Sequence, residues 1–114
     1  MSVELKVYGN IYPASSILEN DLQQVLQTAI QDHISFDIPL IEREKDLVRI
    51  SFEGSYFPVD DVIEIITKHI SSDQKGKLDV LDIANWQMTR YFFEQGQITS
   101  RTTSLNHVLD YSGF

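Results

Sequence analysis

The sequence predicts an α+β fold, a two-layer sandwich in which helices cover one face of an antiparallel sheet. Three features predict it: apolar and polar residues alternate near the N-terminus, two separate stretches carry apolar residues at helical spacing, and the last third has a long hairpin pattern. The expected order is β-α-β-β-α-β, followed by a C-terminal β-hairpin and a short helix. Its first six elements match the split βαβ arrangement. A length of 114 residues is that of a single domain, which we expect to span residues 1–114.

The first strand and the first helix follow from two different periods. Val3, Leu5 and Val7 alternate with charged or polar neighbours, as in a strand with one buried face. Ser16 and Glu19 then stand three residues apart, which is the spacing of a capping box at the start of a helix. The apolar residues that follow lie on one face of that helix: Leu18, Leu22, Val25, Leu26, Ala29 and Ile30.

Two further strands are expected on either side of a charged run, residues 42–46. Apolar residues alternate over residues 34–40 and again over 48–52, so the charged run is predicted to be an exposed turn between them. Pro39 has no N–H for a strand ladder. The strand that contains it is therefore expected at the edge of the sheet.

A second helix is expected to begin after Pro58 and to end near Ser71. Its apolar residues have helical spacing, and two aspartates fall in its first turn, where the helix dipole favours negative charge. The polar run at residues 71–77 is predicted to be a loop. Leu78 and Val80 indicate another strand after it.

The clearest pattern is a hairpin over residues 86–103 that turns at Gln95-Gly96. Aromatic and β-branched residues fill both arms, and a glycine at the second turn position accepts the positive φ of a two-residue connection. In this register Arg90 lies opposite Arg101. Because like charges opposed in a sheet repel, we expect an intramolecular carboxylate beside them, with a bound anion or an acidic partner as the alternatives.

The aromatic residues of the hairpin are predicted to lie on both faces of the sheet. Each face then needs a cover, which a short C-terminal helix beginning at Ser104 or a second subunit could supply. We therefore assign the hairpin a role in binding another protein or a second copy of the chain. The residues proposed for this contact are Trp86, Arg90, Tyr91, Phe92 and Arg101.

The charge of the chain argues against several partners. There are 17 acidic and 9 basic residues, a formal charge of -8, and such a field repels phosphate backbones and anionic membranes. We expect no direct contact with nucleic acid or membrane. The chain has no cysteine, no basic and apolar leader pattern at its start, and no long apolar run, so a cytoplasmic location is expected.

Residues 7–13, VYGNIYP, resemble the first-strand motif of RNA-recognition domains. That motif places a base-stacking aromatic residue two positions before the glycine, where this chain has Val7. The stretch at residues 47–54 also lacks the aromatic pattern of the partner strand. Together with the acidic charge, these departures argue against RNA binding.

No motif predicts a catalytic residue, a cofactor or a metal ion. The chain has no G-x-S-x-G or S-x-x-K pattern and no glycine-rich phosphate loop. His33, His69 and His107 are widely separated, so none forms the i, i+4 pair of a helical zinc site. The carboxylate pairs at Asp60-Asp61 and at Asp79 with Asp82 are interpreted as structural.

Three functional hypotheses remain. We favour a small, soluble, non-catalytic protein-interaction module that associates with a protein partner or with itself. The first alternative is an acidic inhibitor or immunity-type protein that binds a basic, nucleic-acid-handling partner. The second is a small enzyme with its site on the open face of the sheet.

Overall fold

A computed structural model describes residues 4–30 and 40–106 of the chain, and it confirms the predicted α+β fold. An antiparallel sheet has the strand order β2-β3-β1-β4-β5-β6. The elements are β1 (Leu5–Tyr12), α1 (Ser16–Ile30), β2 (Ile41–Glu44), β3 (Leu47–Gly54), α2 (Val59–His69), β4 (Lys75–Asp82), β5 (Gln87–Glu94) and β6 (Gln97–Ser104). The first four strands form the split βαβ arrangement, and the hairpin of β5 and β6 extends the sheet beyond β4.

The core lies between the two helices and one face of the sheet. In the middle strand β1, Val7 faces Phe52 of β3 and Val80 of β4, so these side chains share the face that the helices cover. Val7 and Phe52 are buried there. The residues of α1 and α2 that complete this core are no more than 1% exposed: Leu18, Leu22, Leu26, Val62 and Ile66.

The start of α1 differs from the predicted capping box. The helix begins at Ser16 as expected, but Ser15 caps it, because its Oγ accepts the N–H of Leu18 at 3.1 Å. Glu19 instead accepts a hydrogen bond from Nε of Arg43 in β2, at 2.5 Å. The carboxylate thereby connects the helix to the sheet.

The second helix agrees with the sequence and is joined to the first by a hydrogen bond between side chains. Asp60 and Asp61 lie in the first turn of α2, which ends at His69. Nε2 of His69 lies 2.7 Å from Oδ2 of Asp21 in α1. This contact holds the end of one helix against the other.

The charged run at residues 42–46 is only in part the exposed turn that was predicted. Residues 42–44 belong to β2, and only Lys45 and Asp46 form the turn, where Lys45 has a φ of 57°. Arg43 is held on the helix side, because its Nη2 donates to the carbonyl of Ala14 at 3.0 Å. The strand predicted over 34–40, with Pro39, lies outside the described residues except for Leu40, which is in a bend. The strand at this edge of the sheet is β2, residues 41–44, so the prediction of an edge strand containing Pro39 stays untested.

The loop predicted at residues 71–77 is shorter, because β4 already begins at Lys75. The polar residues at the start of β4 are part of the strand because its backbone is hydrogen-bonded to β1 on one side and to β5 on the other. Gly76 permits the close approach, since a Cβ there would collide with the carbonyl oxygen of Asn10. Beyond the hairpin, Leu105 and Asn106 form a short 3₁₀ turn, and the rest of the predicted C-terminal helix lies outside the described residues.

Candidate interaction surface

The turn of the hairpin has the predicted conformation. Gln95 and Gly96 have φ values of 55° and 73°, and two positive φ values define the type I′ turn that matches the twist of a hairpin. The register is also confirmed: Glu94 lies opposite Gln97, and Arg90 lies opposite Arg101. The side chains of Arg90 and Arg101 are therefore on one face of the sheet, the face opposite the helices.

Arg90 forms a buried ion pair with Asp79, its neighbour in β4. Nε donates to Oδ1 at 2.6 Å and Nη2 donates to Oδ2 at 2.8 Å, so the pair is bidentate. The Arg90 side chain is 1% exposed and that of Asp79 is 12% exposed. The guanidinium carbon also lies 5.8 Å from the ring centre of Phe92. An intramolecular carboxylate thus faces Arg90, as expected, and it connects β4 to β5.

The five residues proposed for contact do not form one patch. Phe92, which is 38% exposed, shares the face of Arg90, and Arg101 is exposed on that face. Tyr91 lies on the helix face, half-buried against the core. Trp86 precedes β5, is 51% exposed, and its indole N–H donates to Asn106 Oδ1 at 2.9 Å. The hairpin therefore places these side chains on both faces and at one end.

Burial raises the pKa of the Tyr91 phenol above its usual value of 10.0, and the nearby charge of Asp60 raises it further. Asp60 lies in the first turn of α2. Tyr91 is consequently held as a neutral phenol under the helix layer.

The face opposite the helices is open over β1 and β3, whereas two residues of β5 on that face are fully buried. Tyr8, Arg49, Ser51 and Lys77 help to line a shallow groove of about 390 Å³. In contrast, Met88 on the same face of β5 is 1% exposed, like Arg90. The predicted open face is therefore limited to the part of the sheet that β1 and β3 form.

Several charged groups near this groove form ion pairs with one another. Nζ of Lys6 lies 3.7 Å from Glu53, and Nη2 of Arg49 lies 3.2 Å from Glu44. The Tyr8 hydroxyl donates to Glu53 at 3.0 Å, and the pKa of Tyr8 is raised by burial and by that carboxylate. Such exposed pairs contribute little to stability.

The outer edge of β6 is the feature that sequence reasoning missed. Within residues 4–30 and 40–106, β6 pairs with β5 on one side and with no strand on the other. All of residues 99–102 are exposed. Eight residues of regular strand, with Arg101 as their one charge and with no proline, form this edge. The signal in the sequence that could have indicated this exposed edge was the Thr- and Ser-rich composition of β6.

The backbone of β6 has a fixed orientation. The closing pair of a two-residue hairpin is hydrogen-bonded, so Gln97 and every second residue after it bond to β5. The N–H of Leu105 agrees with this, since it donates to the carbonyl of Trp86 at 3.0 Å. The N–H and C=O groups of Ile98, Ser100 and Thr102 therefore point outward, away from β5.

The other edge strand is protected. β2 has four residues, and three of them are charged. Short length and charge are the usual means by which an edge avoids pairing with another chain. β6 has neither.

Comparisons of the chain with protein-family models, curated proteins and solved structures find no match. Among the described residues, neither helix is long and apolar enough to cross a membrane. In the same part of the chain, no group of three or more histidine, aspartate or glutamate residues could hold a metal ion; His33 and His107 lie outside it.

Proposed function

We propose that this protein is a non-catalytic protein-interaction module that binds an extended segment of a polypeptide as an additional strand beside β6. One observation carries the proposal: β6 presents an eight-residue edge without proline and with a single charge, whereas β2 at the other edge is short and charged. Exposed edges of this kind are templates for strand addition.

The contacts expected at this edge are mainly backbone hydrogen bonds. Ile98, Ser100 and Thr102 each offer one outward donor and one outward acceptor, and each bond made contributes about 0.5–1.5 kcal/mol. Side chains then provide selectivity. Arg101 and Thr99 project from one face of β6 and Ile98 from the other, so this edge favours a β-branched segment that places no basic residue opposite Arg101.

The roles first assigned to the hairpin residues change within this proposal. Arg101 lies on β6 and Phe92 lies beside it on the same face, so both are near an added strand. Arg90 holds β4 and β5 together through Asp79, and Tyr91 supports the hairpin from the helix side. We assign contact with the partner to Arg101 and Phe92, and support of the strand to Arg90 and Tyr91.

The proposal is tested by removing one outward N–H. Ser100→Pro deletes this donor and leaves the bonds between β5 and β6 in place, whereas Ser100→Ala keeps the donor and serves as the matched control. We expect a protein retained by the wild type and by Ser100→Ala to be lost with Ser100→Pro, while circular dichroism of the two variants agrees. Equal retention by the proline variant would contradict the assignment of β6.

A second candidate is the acidic inhibitor or immunity-type protein, and α2 favours it. Asp60, Asp61 and Glu64 are all exposed on this helix and could attract a basic partner. Replacing Asp60 and Asp61 by asparagine should then slow binding and weaken its salt dependence, with Ser100→Pro having no effect. A cytoplasmic location is part of both proposals and rests on the absence of cysteine from the sequence.

A further inference from the structure

We infer that the strand added to β6 is β6 of a second copy, antiparallel and related by a two-fold axis that passes beside Ser100. This inference depends on the proposed function, because it names the occupant of the same edge. Two six-stranded sheets would then join into one continuous sheet with all helices on one side.

Symmetry restricts the possible registers. Two antiparallel strands related by a two-fold axis must have that axis perpendicular to the sheet, so each face of one copy continues into the same face of the other. Residues that face each other across the axis must therefore project on the same side. Since side chains alternate along a strand, the axis has to pass beside a residue and not between two residues.

Backbone orientation, charge and exposure select among these registers. An axis at Ser100 places Ser100 opposite the partner's Ser100 and Ile98 opposite the partner's Thr102. All the outward groups of β6 between residues 98 and 102 are then paired, which gives about six hydrogen bonds.

The neighbouring registers are worse. An axis at Arg101 would place Arg101 directly opposite the partner's Arg101, where like charges repel. An axis at Thr99 would leave the outward groups of Thr102 without a strand residue opposite. An axis at Thr102 would require Ser104, which is half-buried and is followed by the 3₁₀ turn at Leu105.

The selected register also suits the side chains. It places Arg101 opposite the partner's Thr99, so no two charges of equal sign are directly opposed. On the helix face, Ile98 packs beside the partner's Thr102, a pair of β-branched residues suited to a sheet. Residues 99–102 are exposed and hence accessible to a second copy.

Cysteine crosslinking tests the register, because the natural chain has no cysteine. In Ser100→Cys the two facing Cα atoms would be about 5.5 Å apart, within disulfide range. In the matched control Thr102→Cys, also at an exposed position, the two cysteines would be displaced by four residues, roughly 13 Å along the strands. We expect mild oxidation to convert Ser100→Cys to a covalent dimer much faster than Thr102→Cys.

Light scattering of the full chain over a range of concentrations tests the association itself. We expect the wild type and Ser100→Ala to dimerise as concentration rises and Ser100→Pro to remain monomeric with an unchanged circular dichroism spectrum. Faster crosslinking of Thr102→Cys than of Ser100→Cys would overturn the register.

Two results would separate this inference from the proposed function. If the wild type stays monomeric at every concentration but binds another protein in a way that Ser100→Pro abolishes, the second copy is refuted and strand addition at β6 stands. If Ser100→Pro dimerises like the wild type, β6 is not the contact between copies. The β6-to-β6 dimer is then refuted.

Discussion

The ion pair between Arg90 and Asp79 leads to the most quantitative prediction. Both side chains lie on the face opposite the helices, in adjacent positions of β5 and β4, yet Arg90 is 1% exposed and Asp79 is 12% exposed. Arg90→Gln removes the guanidinium and leaves a carboxylate with little access to water. Asp79→Asn leaves the guanidinium buried and removes the carboxylate charge of Asp79 with which it pairs.

We expect each single substitution to lower the free energy of unfolding by about 3–5 kcal/mol, which is the usual cost of removing one partner from a buried pair. The cost comes from the charge that stays behind in a region of low dielectric. A domain has only about 5–15 kcal/mol of stability in total, so each variant should be close to unfolding at elevated temperature. The double variant Asp79→Asn/Arg90→Gln should cost less than the sum of the single variants, because neither charge of this pair then remains without the other.

Urea denaturation of the four proteins measures this coupling. Arg49→Gln is the matched control, because Arg49 also pairs with a carboxylate across two strands but its side chain is 56% exposed. We expect it to change stability by less than about 0.5 kcal/mol. Added sulfate should have little effect on the melting temperature of the wild type, because Asp79 already occupies the guanidinium. Single variants within about 1 kcal/mol of the wild type, or strictly additive effects, would refute the reasoning.

Two further predictions concern the core and the helix face of the hairpin. Leu22 is 0% exposed, so Leu22→Ala should destabilise the protein by about 2–5 kcal/mol in chemical denaturation, whereas Ile17→Ala, at a residue 62% exposed in the same helix, should cost far less. An equal effect of the two substitutions would contradict the packing of α1 in the core. The raised pKa of Tyr91 implies that its contribution to stability is complete below the unfolded value of about 10 and is lost as pH rises through the folded value. Tyr91→Phe should therefore reduce the loss of stability that urea denaturation measures as pH rises above about 10, and an unchanged loss would contradict this.

Local chemistry allowed several elements to be predicted from the sequence. The Gln95-Gly96 turn fixes the register of the hairpin, so the opposition of Arg90 and Arg101 follows from counting residues. The two helices have stripes of apolar residues whose spacing matches the helical repeat, and both stripes meet the sheet. Periodicity and turn type depend on residues close together in the chain, which is why the sequence determined them.

Tertiary contacts decided the rest. Polar residues predicted a turn at 42–44 and a loop at 75–77. In the structure both stretches pair with neighbouring strands and belong to β2 and β4. Asp79 became the partner of Arg90 because β4 lies beside β5. The exposed edge of β6 follows from its place at the end of the sheet. Strand order depends on contacts between distant segments of the chain, and no local pattern of residues encodes which strand is left without a neighbour.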